Sequence, residues 1–159
     1  MGEIVFAGML KVAKSLGIFS KRLARTLAVQ FMYQMQMKDV QSVSDAEIDD
    51  FITAYAHNDV NTNFFKKIIA NLQKDTHLDE MIEDALDEGK TVSNSPPVEI
   101  CIIKTALTEM IFEKTDIPVI INEYVEIAKD FLDEKVVKFI NALLDKISKK
   151  VERRCQGQA

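Results

Sequence analysis

A chain of 159 residues that is 47% hydrophobic, with five glycines and three prolines, is long enough to bury the core of one domain and is biased towards helix. No apolar run reaches the roughly 18 to 20 residues of a membrane span, and two distant cysteines form no disulfide framework, so a reducing, cytoplasmic setting is expected. The formal charge of −5 argues against a dedicated nucleic-acid binder only on average: residues 45–89 hold twelve acidic and three basic side chains, the rest thirteen acidic and seventeen basic, which leaves room for a local basic surface.

Residues 1–19 read as an N-terminal extension. Ile4, Val5, Met9, Leu10, Val12, Ala13 and Leu16 are apolar, and Lys11 and Lys14 follow the first of them, the reverse of a secretory signal. A short amphipathic helix, or a non-native start, fits this stretch, and Gly17 breaks it. Ser20 is placed to cap a helix over 21–38. At 100° per residue this helix divides in two. Leu23, Ala24, Leu27, Ala28, Phe31, Met32 and Met35 share one side; Arg22, Arg25, Thr26, Val29, Gln30 and Tyr33 share the other. A solvated face accounts for the arginines and Gln30, less well for Tyr33 and Val29. Guanidinium groups for phosphate, a carboxamide for a base edge and a ring for stacking are also the chemistry of an RNA site.

Ser44-Asp45-Ala46-Glu47 is a capping box that opens a helix carrying Ile48, Phe51, Ile52 and Tyr55. A turn at 58–61 leads to a helix with Phe64, Phe65, Ile68, Ile69 and Leu72 that ends near Lys74. A fourth begins at 75 or 76, carries Leu78, Met81, Ile82, Ala85 and Leu86, and ends at Gly89. Its carboxylates, Asp79 to Glu88, read as a solvated face without Ca²⁺-loop spacing, and their charge makes them a poor place for RNA. His57 and His77 stand alone, without ligand spacing, so no metal or cofactor is expected. Residues 90–95 are the loosest internal stretch and are expected to separate halves at about 20–89 and 95–150. Ser95 and Pro96 then open a helix to about Lys114, with Cys101 as a small core residue and Glu99 and Lys104 at an edge.

The stretch from Asp116 to Ile147 reads as a helical hairpin. Pro118 suits a first turn. Ile120, Ile121, Tyr124, Ile127, Ala128 and Phe131 recur at helical spacing, and Asp133 and Glu134 open the second helix. Helices over 118–131 and 134–150 are expected to pack against 97–114, with Phe131, Ile140 and Leu144 buried. Residues 151–159 read as a flexible, basic tail.

The order of residues carries more than the periodicity. Asp116-x-Pro118-x-x-Ile121-Asn122-Glu123, then Val125-Glu126-x-Ala128-Lys129-x-Phe131, then Lys138-Phe139-x-Asn141-x-x-Leu144-Asp145-Lys146 resembles the C-terminal signature of the NusB family of transcription antitermination factors. Ala24-Arg25-x-x-Ala28-Val29-Gln30-x-x-Tyr33-Gln34 is similar to the family's first-helix motif, and Glu99-x-x-x-Ile103-Lys104-x-Ala106-x-x-Glu109 to its central helix. The resemblance implies an all-α bundle of about seven helices in two packed halves. It implies a non-enzymatic role, holding the boxA element of nascent RNA together with NusE, a small-subunit ribosomal protein, near RNA polymerase during rRNA transcription. Lys21, Arg22, Arg25, Gln30 and Tyr33 then fall on the RNA-facing helix. Lys104, Lys138, Phe139 and Asn141 adjoin the RNA-and-partner surface, and Tyr33, Glu99 and Lys135 face NusE. Some relatives pair through the surface that RNA uses, so a homodimer here would be an inhibited form.

The sequence also departs from the family pattern. The arginine cluster before the first helix is thinned to Lys21, Arg22 and Arg25, with Leu23 interrupting it. Lys104 stands where arginine is usual and loses its planar fork. Lys135 occupies a turn position that is often acidic, and Ala142 replaces a glycine. Two other readings compete. A helical protein-interaction module without RNA binding fits the net acidity and thinned arginines. A fragment of an rRNA cytosine methyltransferase, whose N-terminal part is NusB-like, would need an α/β cofactor domain, and nine residues follow Lys150.

Overall fold

In a computed structural model, residues 20–57, 59–74 and 77–157 are described, the last five in backbone alone. The expected amphipathic helix before Gly17 lies outside the described residues. Those residues form seven helices and no strand: α1 (Ser20–Met37), α2 (Asp45–Tyr55), α3 (Thr62–Lys74), α4 (Leu78–Glu83), α5 (Pro97–Phe112), α6 (Ile117–Phe131) and α7 (Glu134–Gly157). The chain divides into two compact units, up to Gln73 and from Lys74 onward. The divide therefore falls before α4, not in the 90–95 stretch. The physical reason is that α4 packs on α5 and that residues 84 and 85 are tied to α7: Lys146 Nζ donates to the Ala85 carbonyl at 2.9 Å, and Lys150 lies 4.0 Å from Asp84.

The first unit is built on aromatic rings. Phe31 of α1 meets Phe51 of α2 edge-on at 5.0 Å and Phe65 of α3 at 6.0 Å, while Phe51 and Phe65 stack at 5.7 Å. Offset and edge-on pairs are the favoured arrangements of these quadrupoles. Leu23, Leu27, Ile48, Phe64 and Ile68 complete the core. The capping box forms as its residues require: the Ser44 N–H donates to the Glu47 carboxylate at 2.7 Å and the Glu47 N–H to Ser44 Oγ at 3.3 Å. The Ser44 N–H, and then the Ser44 hydroxyl that donates to the same carboxylate at 3.1 Å, favour the charged form and hold the Glu47 carboxyl below its ordinary value. Ser20 is the first residue of α1 and not its cap. Its carbonyl accepts the Asn61 N–H at 3.2 Å, and the Asn61 side chain caps α3 by accepting the Phe64 N–H at 3.0 Å.

In the second unit α6 and α7 pack on each other and both pack on α5, the expected hairpin arrangement. Helix α5 is buried almost all round, from Ile100 to Met110 apart from Lys104, the signature of a central helix. Its Glu109 is fully buried, and the Tyr124 hydroxyl of α6 donates to that carboxylate at 2.9 Å. The last motif residue of the central helix is therefore a core link. Ser95 does not cap α5: its hydroxyl donates to the Thr91 carbonyl at 2.6 Å, closing a loop, and Pro96 precedes Pro97 in the first turn. Helix α4 is only six residues long and ends at Glu83; Gly89, at φ +83°, belongs to a later turn that a side chain would strain. Ile140 and Leu144 are fully buried, whereas Phe131, at the last turn of α6, is half-buried. Helix α7 does not fray at 150 but runs to Gly157, because Val151 extends the stripe of Ile140, Leu144 and Ile147 by one turn and is buried with them.

Candidate nucleic-acid interface

The expected RNA residues of the first unit share α1 but not one level of exposure. Every residue from Leu23 to Phe31 is buried. Arg25 is 4% exposed and Gln30 2% exposed. The polar side of α1 is thus covered from Arg25 to Gln30, which corrects the solvated-face reading for those two residues. Lys21 is exposed, and Arg22 and Tyr33 are half-buried. Lys21 Nζ and Arg25 Cζ sit 5.1 and 5.2 Å from the centroid of the Phe64 ring, within cation–π range. Gln30 Oε1 and, one turn on, Gln34 Nε2 are buried with no hydrogen-bond partner, a costly state for an acceptor and a donor that could satisfy each other. Of the expected site residues, α1 therefore offers solvent one ammonium, one guanidinium and one phenol.

In the second unit the expected residues divide between places. A cavity of about 220 Å³ is lined by Glu99, Ile100, Ile103, Pro96, Lys90 and Phe139, among others. Phe139 is 36% exposed, and the Lys90 ammonium stands 5.6 Å from its ring centroid. Burial, and then the Asp133 carboxylate, push the Glu99 carboxyl above its ordinary value, with Lys90 opposing them. A group of a partner would find one carboxylate, one ammonium and a ring here. Asn141 is not part of this cavity. It lies about 160° round α7 from Phe139, in a groove of about 480 Å³ with Val125, Lys129, Val137 and Lys138. Lys138 itself pairs with Glu134 at 3.4 Å, well exposed, and Lys135 is exposed on the same helix. Lys104 is engaged by Asp79 of α4 at 2.7 Å, so the acidic run neutralises it; the run is not simply a solvated face.

Comparison with known proteins settles the family. Residues 22–149 match the family model for the NusB family. The chain belongs to the NusB family. The transcription antitermination protein NusB of Shewanella oneidensis is 38% identical over 130 residues, covering 80% of this chain and 93% of that protein. Among solved structures, T. maritima NusB superposes with a TM-score of 0.69 at 23% identity, over 80% of this chain and 89% of that one. A structure of antitermination factors NusB and NusE in complex with dsRNA superposes with a TM-score of 0.68 at 22% identity, over 84% and 98%. The all-α architecture is thus that of NusB structures, and the family is one of transcription factors.

Within this NusB fold, three residues beside the expected site had not been singled out as site residues. Phe64 holds cations of α1 from another helix, Lys90 covers Phe139 from a loop, and Lys129 borders the Asn141 groove from α6. Lys129 was within reach of the sequence, because it stands in the Val-Glu-x-Ala-Lys motif. The other two depend on contacts between segments distant in the chain. Among the described residues no group of three His, Cys, Asp or Glu side chains could hold a metal ion, and no helix is long and apolar enough to cross a membrane.

Proposed function

We propose that this chain is a non-enzymatic RNA-binding antitermination factor that holds boxA-type RNA together with NusE, as part of the antitermination complex on RNA polymerase, during cytoplasmic rRNA transcription. The observation that carries the reading is the combination of cations and rings at the surface of each unit: Lys21, Arg22 and Tyr33 on α1, and the Phe139 ring beside Glu99 and Lys90 in the second unit. Exposed cations meet phosphates, and rings stack on unpaired bases or anchor a protein. The similar fold solved with NusE and dsRNA supports both partners. Arg25 and Gln30 then act from beneath the surface, and Lys138 and Asn141 present a separate edge of α7. The mechanism is affinity and positioning.

A specific observation favours a second reading, a helical protein-interaction module without RNA binding. Of the expected RNA residues, Lys104 is paired with Asp79, Lys138 with Glu134, and Arg25 and Gln30 are buried. The experiment that separates the two is titration with boxA-like RNA, with and without NusE, at several salt concentrations. RNA binding that weakens with salt supports the first reading; NusE binding without RNA binding supports the second.

A further inference from the structure

The cations of α1 rest on a ring that belongs to α3. Lys21 and Arg25 are one helical turn apart, where like charges ordinarily repel, yet both approach Phe64, at 5.1 and 5.2 Å from its centroid. The negative face of an aromatic ring attracts each of them. Phe64 is itself fixed. Its N–H donates to Asn61 Oδ1 at 3.0 Å, and the Asn61 N–H donates to the Ser20 carbonyl at 3.2 Å, so the first turn of α3 is stitched to the first turn of α1. The ring is 8% exposed while Lys21 is exposed. The aromatic support is therefore inside and the ammonium faces solvent. A lysine on a four-carbon stem normally loses rotamer freedom when it binds, and a side chain already docked on a ring loses less.

We propose that Phe64 is a positioning residue of the RNA surface: it holds the Lys21 ammonium, with the buried Arg25 guanidinium on the same ring, in place to meet a phosphate of the RNA backbone. This rests on the RNA-binding reading of α1. It extends the binding unit from one helix to the joint between α1 and α3. Phe64 acts through Lys21 and touches no RNA.

The test is a set of RNA titrations on the full chain with NusE present, using boxA-like RNA over a range of salt. The variants are Lys21→Gln, Phe64→Leu, Phe64→Tyr and the double variant Lys21→Gln/Phe64→Leu, each with a thermal melt. Phe64→Leu is expected to weaken RNA binding by about two- to fivefold, and Phe64→Tyr, which keeps the ring, to restore it. Lys21→Gln should lower the salt slope by about 0.7, the share of one contact on single-stranded RNA, and Phe64→Leu should add no loss in that background. Should Phe64→Leu melt below the titration temperature, Phe64→Met, whose unbranched side chain adapts to the gap, carries the same comparison. The inference is overturned if Phe64→Leu costs as much affinity in the Lys21→Gln background as in the wild type, because the effect then does not pass through Lys21. It is also overturned if Lys21→Gln weakens binding and Phe64→Leu does not, and both of these outcomes leave the RNA-binding reading standing. A wild-type chain that binds no RNA overturns that reading, and this inference with it.

Discussion

At the scale of single residues, burial separates side chains that the helical wheel had put together. Arg22→Glu should leave stability within about 1 kcal/mol of wild type, as for most surface substitutions. Arg25→Glu places a carboxylate where a buried guanidinium sits on a ring and should cost about 3 to 5 kcal/mol. Chemical denaturation of the two variants checks this, and equal stabilities would contradict the placement of Arg25. The wheel correctly grouped Arg22, Arg25, Gln30 and Tyr33 on one side. It carried no information on whether that side was covered, since the same arc serves a solvated face and a second buried one. Glu99 gives the opposite test. Its carboxyl is raised above the ordinary 4.5 by burial and then by Asp133, so its charge opposes folding wherever it is ionised. Glu99→Gln is expected to raise the melting temperature at neutral pH. The gain should disappear as pH falls below about 4.5, where folded and unfolded carboxyls are both protonated. If Glu99 also meets a cation of NusE, the same variant binds NusE less tightly. A variant at once more stable and weaker in binding is the mark of a site residue.

At the scale of helices, the apolar stripes were legible because tertiary packing follows them. Ile140, Leu144 and Ile147 are fully buried, and Leu144→Ala should cost about 2 to 5 kcal/mol. Phe131→Ala, at a half-buried position, should cost less than Leu144→Ala. A denaturation midpoint unchanged by Leu144→Ala would contradict the register of α7. Helix ends were less legible. The polar composition after Lys149 suggested fraying, but one buried residue, Val151, carries the stripe another turn, so Val151→Ser is expected to lower stability and to increase amide exchange beyond 150. Ser20 and Ser95 have the residue type of a cap, and each serves a different purpose, because a hydroxyl or carbonyl bonds whatever the tertiary fold brings near. Asn61, read only as part of a turn, is the cap of α3.

At the scale of the whole molecule, three ordered motifs identified the family more securely than composition did, and the net charge was a poor guide. The acidic residues gather near α4, where Asp79 pairs with Lys104 of α5 and Asp84 lies 4.0 Å from Lys150 of α7, while Lys21 and Arg22 belong to the α1 surface. The site was legible only as a set of residues. Its division into an α1 surface, a Phe139–Glu99–Lys90 cavity and an Asn141 groove follows from helix rotation and from contacts between segments far apart in sequence. The measurement that bears most directly on the central claim is the affinity of the full chain for boxA-like RNA, alone and with NusE, against the logarithm of salt concentration. The account predicts that NusE tightens RNA binding and that affinity falls with salt, with a slope of about 0.7 for each single-stranded phosphate contact that decreases in Arg22→Glu. An affinity for RNA that neither depends on salt nor responds to NusE and Arg22→Glu would contradict it.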